Sequence, residues 1–306
     1  MRKYLMAAFV CIFFVQQPLQ AQYYYYNNKF YDNPLVFEVG VTGGVMNSFT
    51  DLGGKKGVGK NFIKDLRWKT ARPSYGIYVA ANYQDALFVR LEGTFGQVTG
   101  ADSILKNVAS STFGRYERNL SFKSKISEAQ LSVEVHPLFF KPYEDGNPPR
   151  LSPYAVAGVG FFSFDPQTKF NGQWYALKPL RTEGQGFSEY PETKEYSLNQ
   201  LNFLAGAGLK YEISPFINAR IEFVHRFLRT DYLDDVSGNY IDPSLFANYL
   251  TPNQASIAQQ IYYRRDEIVP SDVSPQDAQR GDSKDKDAYF TIQFKIGMTL
   301  GRQRIR

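Results

Sequence analysis

The chain has 306 residues, and 35 Lys and Arg against 30 Asp and Glu give a formal net charge of +5, too small and too mixed for a nucleic-acid surface. A single cysteine excludes an internal disulfide and a thiolate metal cluster. The mean hydropathy of −0.38 is that of a water-soluble chain, yet Phe, Tyr and Trp make up 16 %, as expected of strands that meet a membrane interface.

The N-terminus reads as a secretory leader. Arg2 and Lys3 precede an apolar run over 5–15, and Pro18 and Ala21 stand before a cleavage point. That layout predicts a signal peptide over 1–21, too short to span a bilayer. Cys11 lies inside the run, but Val10 stands where lipoprotein processing needs a small residue. Residues 22–34 then form a periplasmic tail in which Tyr23, Tyr24, Tyr25 and Tyr26 can touch the membrane interface. No later run reaches the ~18 apolar residues of a membrane helix.

Eight segments alternate with period two, the mark of a strand with two unlike faces. The first, 35–46, sets Leu35, Phe37, Val39, Val41 and Val45 against Glu38 and Thr42. The second, 74–83, aligns Tyr75, Ile77, Val79, Ala81 and Tyr83, and a tight turn at Gln84 and Asp85 leads to the third. There Leu87, Val89, Leu91 and Phe95 oppose Arg90, Glu92 and Thr94. The fourth sets Ala129, Leu131, Val133 and Val135 against Glu128, Gln130, Ser132, Glu134 and His136. The glycine-rich fifth, 154–164, leaves its facing open. The sixth, 201–213, carries Lys210 and Glu212 on its polar face; the seventh, from Ile217, carries Arg220, Glu222 and Arg226; the eighth, 288–300, carries Lys295.

These lengths exceed the usual globular strand and match a tilted membrane strand of ~9–11 residues. Long connections (47–72, 99–125, 165–198 and 228–287) alternate with short ones (84–85, 138–152 and 214–215). The expectation is an all-β, eight-stranded antiparallel transmembrane barrel over 35–300, with long loops outside, both termini in the periplasm and a basic tail over 301–306. A soluble barrel also has two faces, with the apolar one inward. Charge favours the membrane form. Arg90, Lys210, Arg220, Arg226 and Lys295 nearly balance Glu38, Glu92, Glu128, Glu134, Glu212 and Glu222 on the polar faces, whereas the opposite faces are almost free of charge. Such a set is expected to form a packed lumen network, since eight strands leave no open channel.

In the loops, Asp242-Pro243 and Thr251-Pro252 are helix starts, predicting one or two short helices within 243–265. The charged stretch 273–287 is expected to be mobile. Gly54 to Asn61 reads GKKGVGKN, but Asn61 replaces the hydroxyl residue that a phosphate loop needs, so no nucleotide is expected. Asp231, Asp234, Asp235 and Asp242 are oxygen ligands in the last loop, but their spacing does not fit a calcium loop and turn formation is the better reading. His225 has Asp231 and Ser237 close in sequence, yet strand parity aims it away from the lumen, and His136 closes the fourth strand. No catalytic set, metal site or cofactor is expected.

Four segments carry a family resemblance. FEVGVTGG (37–44), PYAVAGVGFFSFDP (153–166), NGQWYALKPLRTEGQG (171–186) and TDYLDDVSGNY (230–240) together resemble the PorG-like outer-membrane barrels of Bacteroidota. The two loop motifs are the more specific. The resemblance implies a small non-enzymatic barrel in the outer membrane, an accessory of the type IX secretion and gliding apparatus. Its implied partners are outer-membrane lipid and the periplasmic ring proteins of that machine. An alternative role is a surface-binding or envelope-stabilising barrel acting through its outer loops.

Overall fold

The computed structural model describes residues 30–31, 34–53, 70–106, 112–140, 149–269 and 275–304. The leader expected over 1–21, the Gly54 to Asn61 loop and most of the 22–34 tail lie outside these residues. The strands are β1 (Phe30–Tyr31), β2 (Leu35–Phe49), β3 (Arg72–Tyr83), β4 (Leu87–Ala101), β5 (Ser121–Val135), β6 (Leu151–Phe170), β7 (Gln173–Ala176), β8 (Asn199–Glu212), β9 (Ile217–Leu228), β10 (Ala288–Leu300) and β11 (Gln303–Arg304). The α-helices are α1 (Phe113–Arg118), α2 (Phe246–Tyr249) and α3 (Pro252–Ile261).

Among the described residues, eight long strands run β2-β3-β4-β5-β6-β8-β9-β10 and return to β2. Every pairing is antiparallel, and β5 against β6 closes the sheet. Closure leaves no free edge, so each backbone donor and acceptor in the wall finds a neighbouring strand. The strands pair where alternation predicted them. At the lower end, Gln84 and Asp85 turn β3 into β4 with φ of 53° and 55°, the left-handed pair that a two-residue hairpin requires. Asn82 secures the turn by donating to Asp85 Oδ1 at 2.6 Å.

Parity gives the wall its two chemistries. Leu35, Phe37, Val79, Leu91, Leu131, Phe161, Phe203, Ile221, Phe294 and Met298 all point outward and are exposed. Among the described residues, from the lower strand ends up to Phe95, Ala129, Phe161, Leu201 and Phe227, no outward side chain of the wall is Asp, Glu, Lys or Arg. The open facing of β6 is settled: Tyr154, Val156, Phe162 and Phe164 turn inward and Ala155, Ala157, Val159 and Phe161 outward.

The outer ends differ from expectation. β4, β5 and β6 continue into segments read as loops, reaching Ala101, starting at Ser121 and reaching Phe170. The alternation persists there with its polarity reversed. On β5, Phe122 and Ile126 are buried inside while Lys125 and Ser127 face out. The reason is a change of surroundings: above the apolar belt the inner face meets a hydrophobic cap, so apolar residues move in and polar ones out. The cap core joins Val98, Phe122, Phe164, Leu180, Phe187, Leu233, Phe246 and Ala258 into one buried cluster.

Both predicted helix starts are present. Asp242 Oδ1 accepts from Ser244 N at 2.9 Å, and Thr251 with Gln254 forms a reciprocal capping box at the start of α3. The stretch expected to be mobile is held in place from residue 275 onward. Gln279 bridges Asn239, Arg280 N and Gly281 N both donate to Gly238 O at 2.8 Å, and Asp287 Oδ2 accepts from Leu233 N at 2.8 Å. Of its charges, Arg280 and Asp287 find partners distant in sequence, at Glu183 and Leu233, whereas residues 283–286 are exposed. Within the expected basic tail, β11 pairs with β1 and Arg302 is buried; residues 305–306 lie outside the described residues.

Candidate functional site

The most highly organised chemistry lies inside the barrel. Glu38, Arg90, Glu92, Glu128, Glu134, Lys210, Glu212, Arg220, Glu222, Arg226 and Lys295 all face the lumen and are buried. Arg90 donates to both oxygens of Glu222, at 2.8 and 2.9 Å, and lies 2.6 Å from Glu134 and 3.1 Å from Glu92. Arg220 spans Glu134 at 2.5 Å and Glu38 at 2.7 Å. Lys295 joins Glu92 at 2.6 Å to Glu222 at 2.9 Å. Higher up, Arg226 holds Glu128 at 3.1 Å and donates to Thr291 at 2.5 Å.

Sequence alternation alone did not identify all members. The hydroxyl of Tyr78 donates to Glu38 at 2.5 Å and that of Tyr154 to Glu222 at 2.8 Å. The Arg220 guanidinium lies 5.0 Å from the Phe88 ring centre and 5.7 Å from those of Tyr78 and Tyr154. His136 stacks on Tyr154 at a centroid distance of 4.8 Å and meets Phe88 tilted at 4.7 Å, with Nδ1 3.0 Å from Ser152 Oγ. Asp85 and Arg302 complete the lower end. Arg302 bonds Asp85 at 3.2 Å and Glu212 at 3.4 Å, and Lys210 lies 3.5 Å from Glu212. A signal for the tyrosines was present in cross-strand pairing, where Gly40 faces Tyr78 and Gly208 faces Tyr154. A Cβ on Gly40 would meet the Tyr78 ring at 2.5 Å, so these glycines clear space for rings laid across the wall.

The cap is the second organised region. The Glu183 carboxylate accepts the backbone N–H groups of Ser237 and Gly238, at 2.9 and 3.0 Å, and binds Arg280 at 2.8 Å. Asp235 accepts from the hydroxyls of Thr182 and Tyr196, at 2.6 and 2.7 Å. Arg118 grips Asp102 at 2.7 Å and donates to Asp51 O at 2.8 Å and to Arg280 O. Residues 171–186 and 230–240, the two loop motifs singled out in the sequence, thus meet in one hydrogen-bonded unit. Burial pushes Asp235 up to about 6 and Asp231 up to about 7, and raises Asp234 and Asp287.

The tempting motifs do not converge. Asp234 is spent on Leu52 N and Val236 N, at 3.0 Å each, Asp235 on its hydroxyl donors, and Asp242 on a helix start. Among the described residues, no three acidic or histidine side chains form a metal-ligating group. His225 turns outward by parity and packs against Phe49 and Phe227, at 5.9 and 4.5 Å between ring centres, while Ser237 belongs to the cap.

A closed eight-stranded barrel with a charged, packed inside and an apolar outside has the architecture of the small outer-membrane barrels. No family model matches the chain, and no curated protein matches its sequence. Among solved structures it is similar to three such barrels. Neisserial surface protein A is 8 % identical, with a TM-score of 0.38, over 86 % of this chain and 96 % of that one. The N-terminal barrel domain of Pseudomonas aeruginosa OprF is 10 % identical, with a TM-score of 0.34, over 88 % and 98 %. Ail, the attachment invasion locus protein of Yersinia pestis, is 9 % identical, with a TM-score of 0.32, over 87 % and 97 %. None of the three supplies a role for any residue here.

Proposed function

We propose that this protein is an integral barrel of the bacterial outer membrane that serves as a non-enzymatic, non-conducting anchor and scaffold. The observation that carries the reading is the filled lumen. Arg90 and Arg220, both fully buried, lie across the interior and bind carboxylates from β2, β5 and β9, so transport through the barrel would require breaking buried ion pairs. What remains free to work is the two ends.

The motif resemblance extends this to an accessory role in the type IX secretion apparatus. In that orientation the short turns and both termini are periplasmic. The turn segment Pro137–Phe140 exposes Leu138 and Phe140 there, a surface suited to ring proteins of the machine. A second reading, a surface-binding or envelope-stabilising barrel, is favoured by the cap, whose buried core and Glu183–Arg280 lock give the outer face a fixed shape.

The test is cross-linking in intact cells of the native host, with a tagged copy recovered from outer membranes. Periplasmic ring proteins in the product support the accessory role. Their absence, with the barrel correctly inserted and abundant, moves the function to the cap. Deleting 243–265 should then abolish it, whereas the accessory role survives that deletion.

A further inference from the structure

On β5 the outward series runs Ser121, Lys123, Lys125, Ser127 and then Ala129, Leu131, Val133 and Val135. Cations thus begin directly above the apolar belt. The neighbouring strand repeats the pattern: Phe161 ends its apolar series, and Ser163, Asp165, Gln167 and Lys169 follow. In register, Lys125 pairs with Asp165 and Lys123 with Gln167, while Lys169 pairs with Trp174 of β7. The Lys123 ammonium lies 3.4 Å from the centre of the Trp174 ring, which is itself half exposed. Asp165 accepts from Gln167 at 2.6 Å. Neither Lys125 nor Lys169 has an ion-pair partner among the described residues. At the same level β4 turns out Gln97 and Thr99. Arg72, Arg229 and Lys286 are exposed at the outer ends of β3, β9 and β10, but the three lysines of β5 and β6 are the ones grouped around an exposed tryptophan.

With ~3.3 Å per residue and a strand tilt of ~40°, Lys125 and Lys123 lie about 5 and about 10 Å above Ser127. The polar layer over the hydrocarbon is about 5–7 Å deep on each side, so Lys125 stands within it and the Lys123 stem, rooted just above, can bend down into it. An indole beside them is the side chain favoured at that boundary. We infer that Lys123, Lys125, Lys169 and Trp174 form a docking face for the phosphate groups of outer-leaflet lipid headgroups, fixing one side of the barrel against anionic lipid. The inference rests on the membrane reading. Complementary charge and continuity with the apolar belt are what identify the occupant.

The full mature chain is refolded into vesicles of zwitterionic phosphatidylcholine, with and without lipid A as the anionic, phosphomonoester-bearing probe. The thermal midpoint of its heat-dependent gel mobility is followed as lipid A is titrated. A lysine near an anionic surface contributes on the order of fivefold in affinity, so K123Q/K125Q/K169Q should raise the half-saturating lipid A concentration by about a hundredfold. K125Q alone should raise it about fivefold and serves if the triple variant refolds poorly. An unchanged half-saturation in these variants overturns the docking face, as does an equal response to extra phosphatidylcholine. Failure of the wild-type chain to reach a heat-modifiable form in any vesicle instead overturns the membrane reading.

Discussion

Arg90→Met probes the lumen network at its centre. The guanidinium is fully buried and binds Glu222 at 2.8 Å, Glu134 at 2.6 Å and Glu92 at 3.1 Å. Removing one partner from a buried ion pair costs ~3–5 kcal/mol, because a charge is left uncompensated. Each carboxylate here keeps a second partner. Glu222 and Glu92 retain Lys295, and Glu134 retains Arg220. The cost therefore falls at the lower end, about 3 kcal/mol. Adding Glu222→Gln to Arg90→Met removes the surplus negative charge and should recover about half of that loss, a non-additivity expected of groups in direct contact. The assay is the urea dependence of the folded fraction in vesicles, read by gel mobility. A single variant within about 0.5 kcal/mol of wild type, or a double variant whose losses simply add, would refute the reasoning.

On the outer wall, Leu131→Arg should destabilise the inserted barrel by ~2–4 kcal/mol in the same titration; no change would mean that Leu131 does not face lipid. Gly40→Val pushes a side chain into the Tyr78 ring and the Ile296 carbonyl, both at 2.5 Å from the Cβ position, and should cost ~1–3 kcal/mol by overpacking, measured as a shift of the unfolding midpoint. In the cap, burial holds Asp235 at about 6 and Asp231 at about 7, above the ordinary carboxyl value. The folded cap therefore binds protons that the unfolded loops release, and its stability rises as pH falls from about 7 toward about 4. Hydrogen-exchange protection over 230–240 should be greater at pH 5 than at pH 8, and Asp235→Asn should reduce that difference while the raised Asp231 keeps part of it. Arg280→Met leaves Glu183 without its cation and should expose the cap loops to protease while heat-dependent mobility stays unchanged.

The barrel wall was legible because period-two alternation survives in every long strand, and the lumen cations and glutamates could be read from the same parity. Three features were not. The reversed polarity of Phe122 and Lys123 depends on whether lipid or a cap surrounds that level, which parity alone cannot report. Tyr78 and Tyr154 join the network only because Gly40 and Gly208, distant in sequence, leave room across the strand pair. Asp85 and Arg302 reach the lower lumen from a turn and from beyond the last long strand, where no alternation marks them. The anchoring of Arg280 and Asp287 was hidden for the same reason as that of Asp85 and Arg302, since the partners Glu183 and Leu233 come from other loops of the cap.

The central claim is that the apolar face of the wall meets lipid and the charged face fills a sealed lumen. Cys11 is the chain's single cysteine and falls in the expected leader, so single cysteines can be placed along β5 in the mature chain, at Lys125, Ser127, Ala129, Leu131, Ser132 and Val133, and labelled with a fluorophore in vesicles containing spin-labelled lipid. The account predicts strong quenching at 129, 131 and 133, little at 132, and a fall at 125 where the cations begin. Uniform weak quenching along the strand, or quenching strongest at 132, would contradict it.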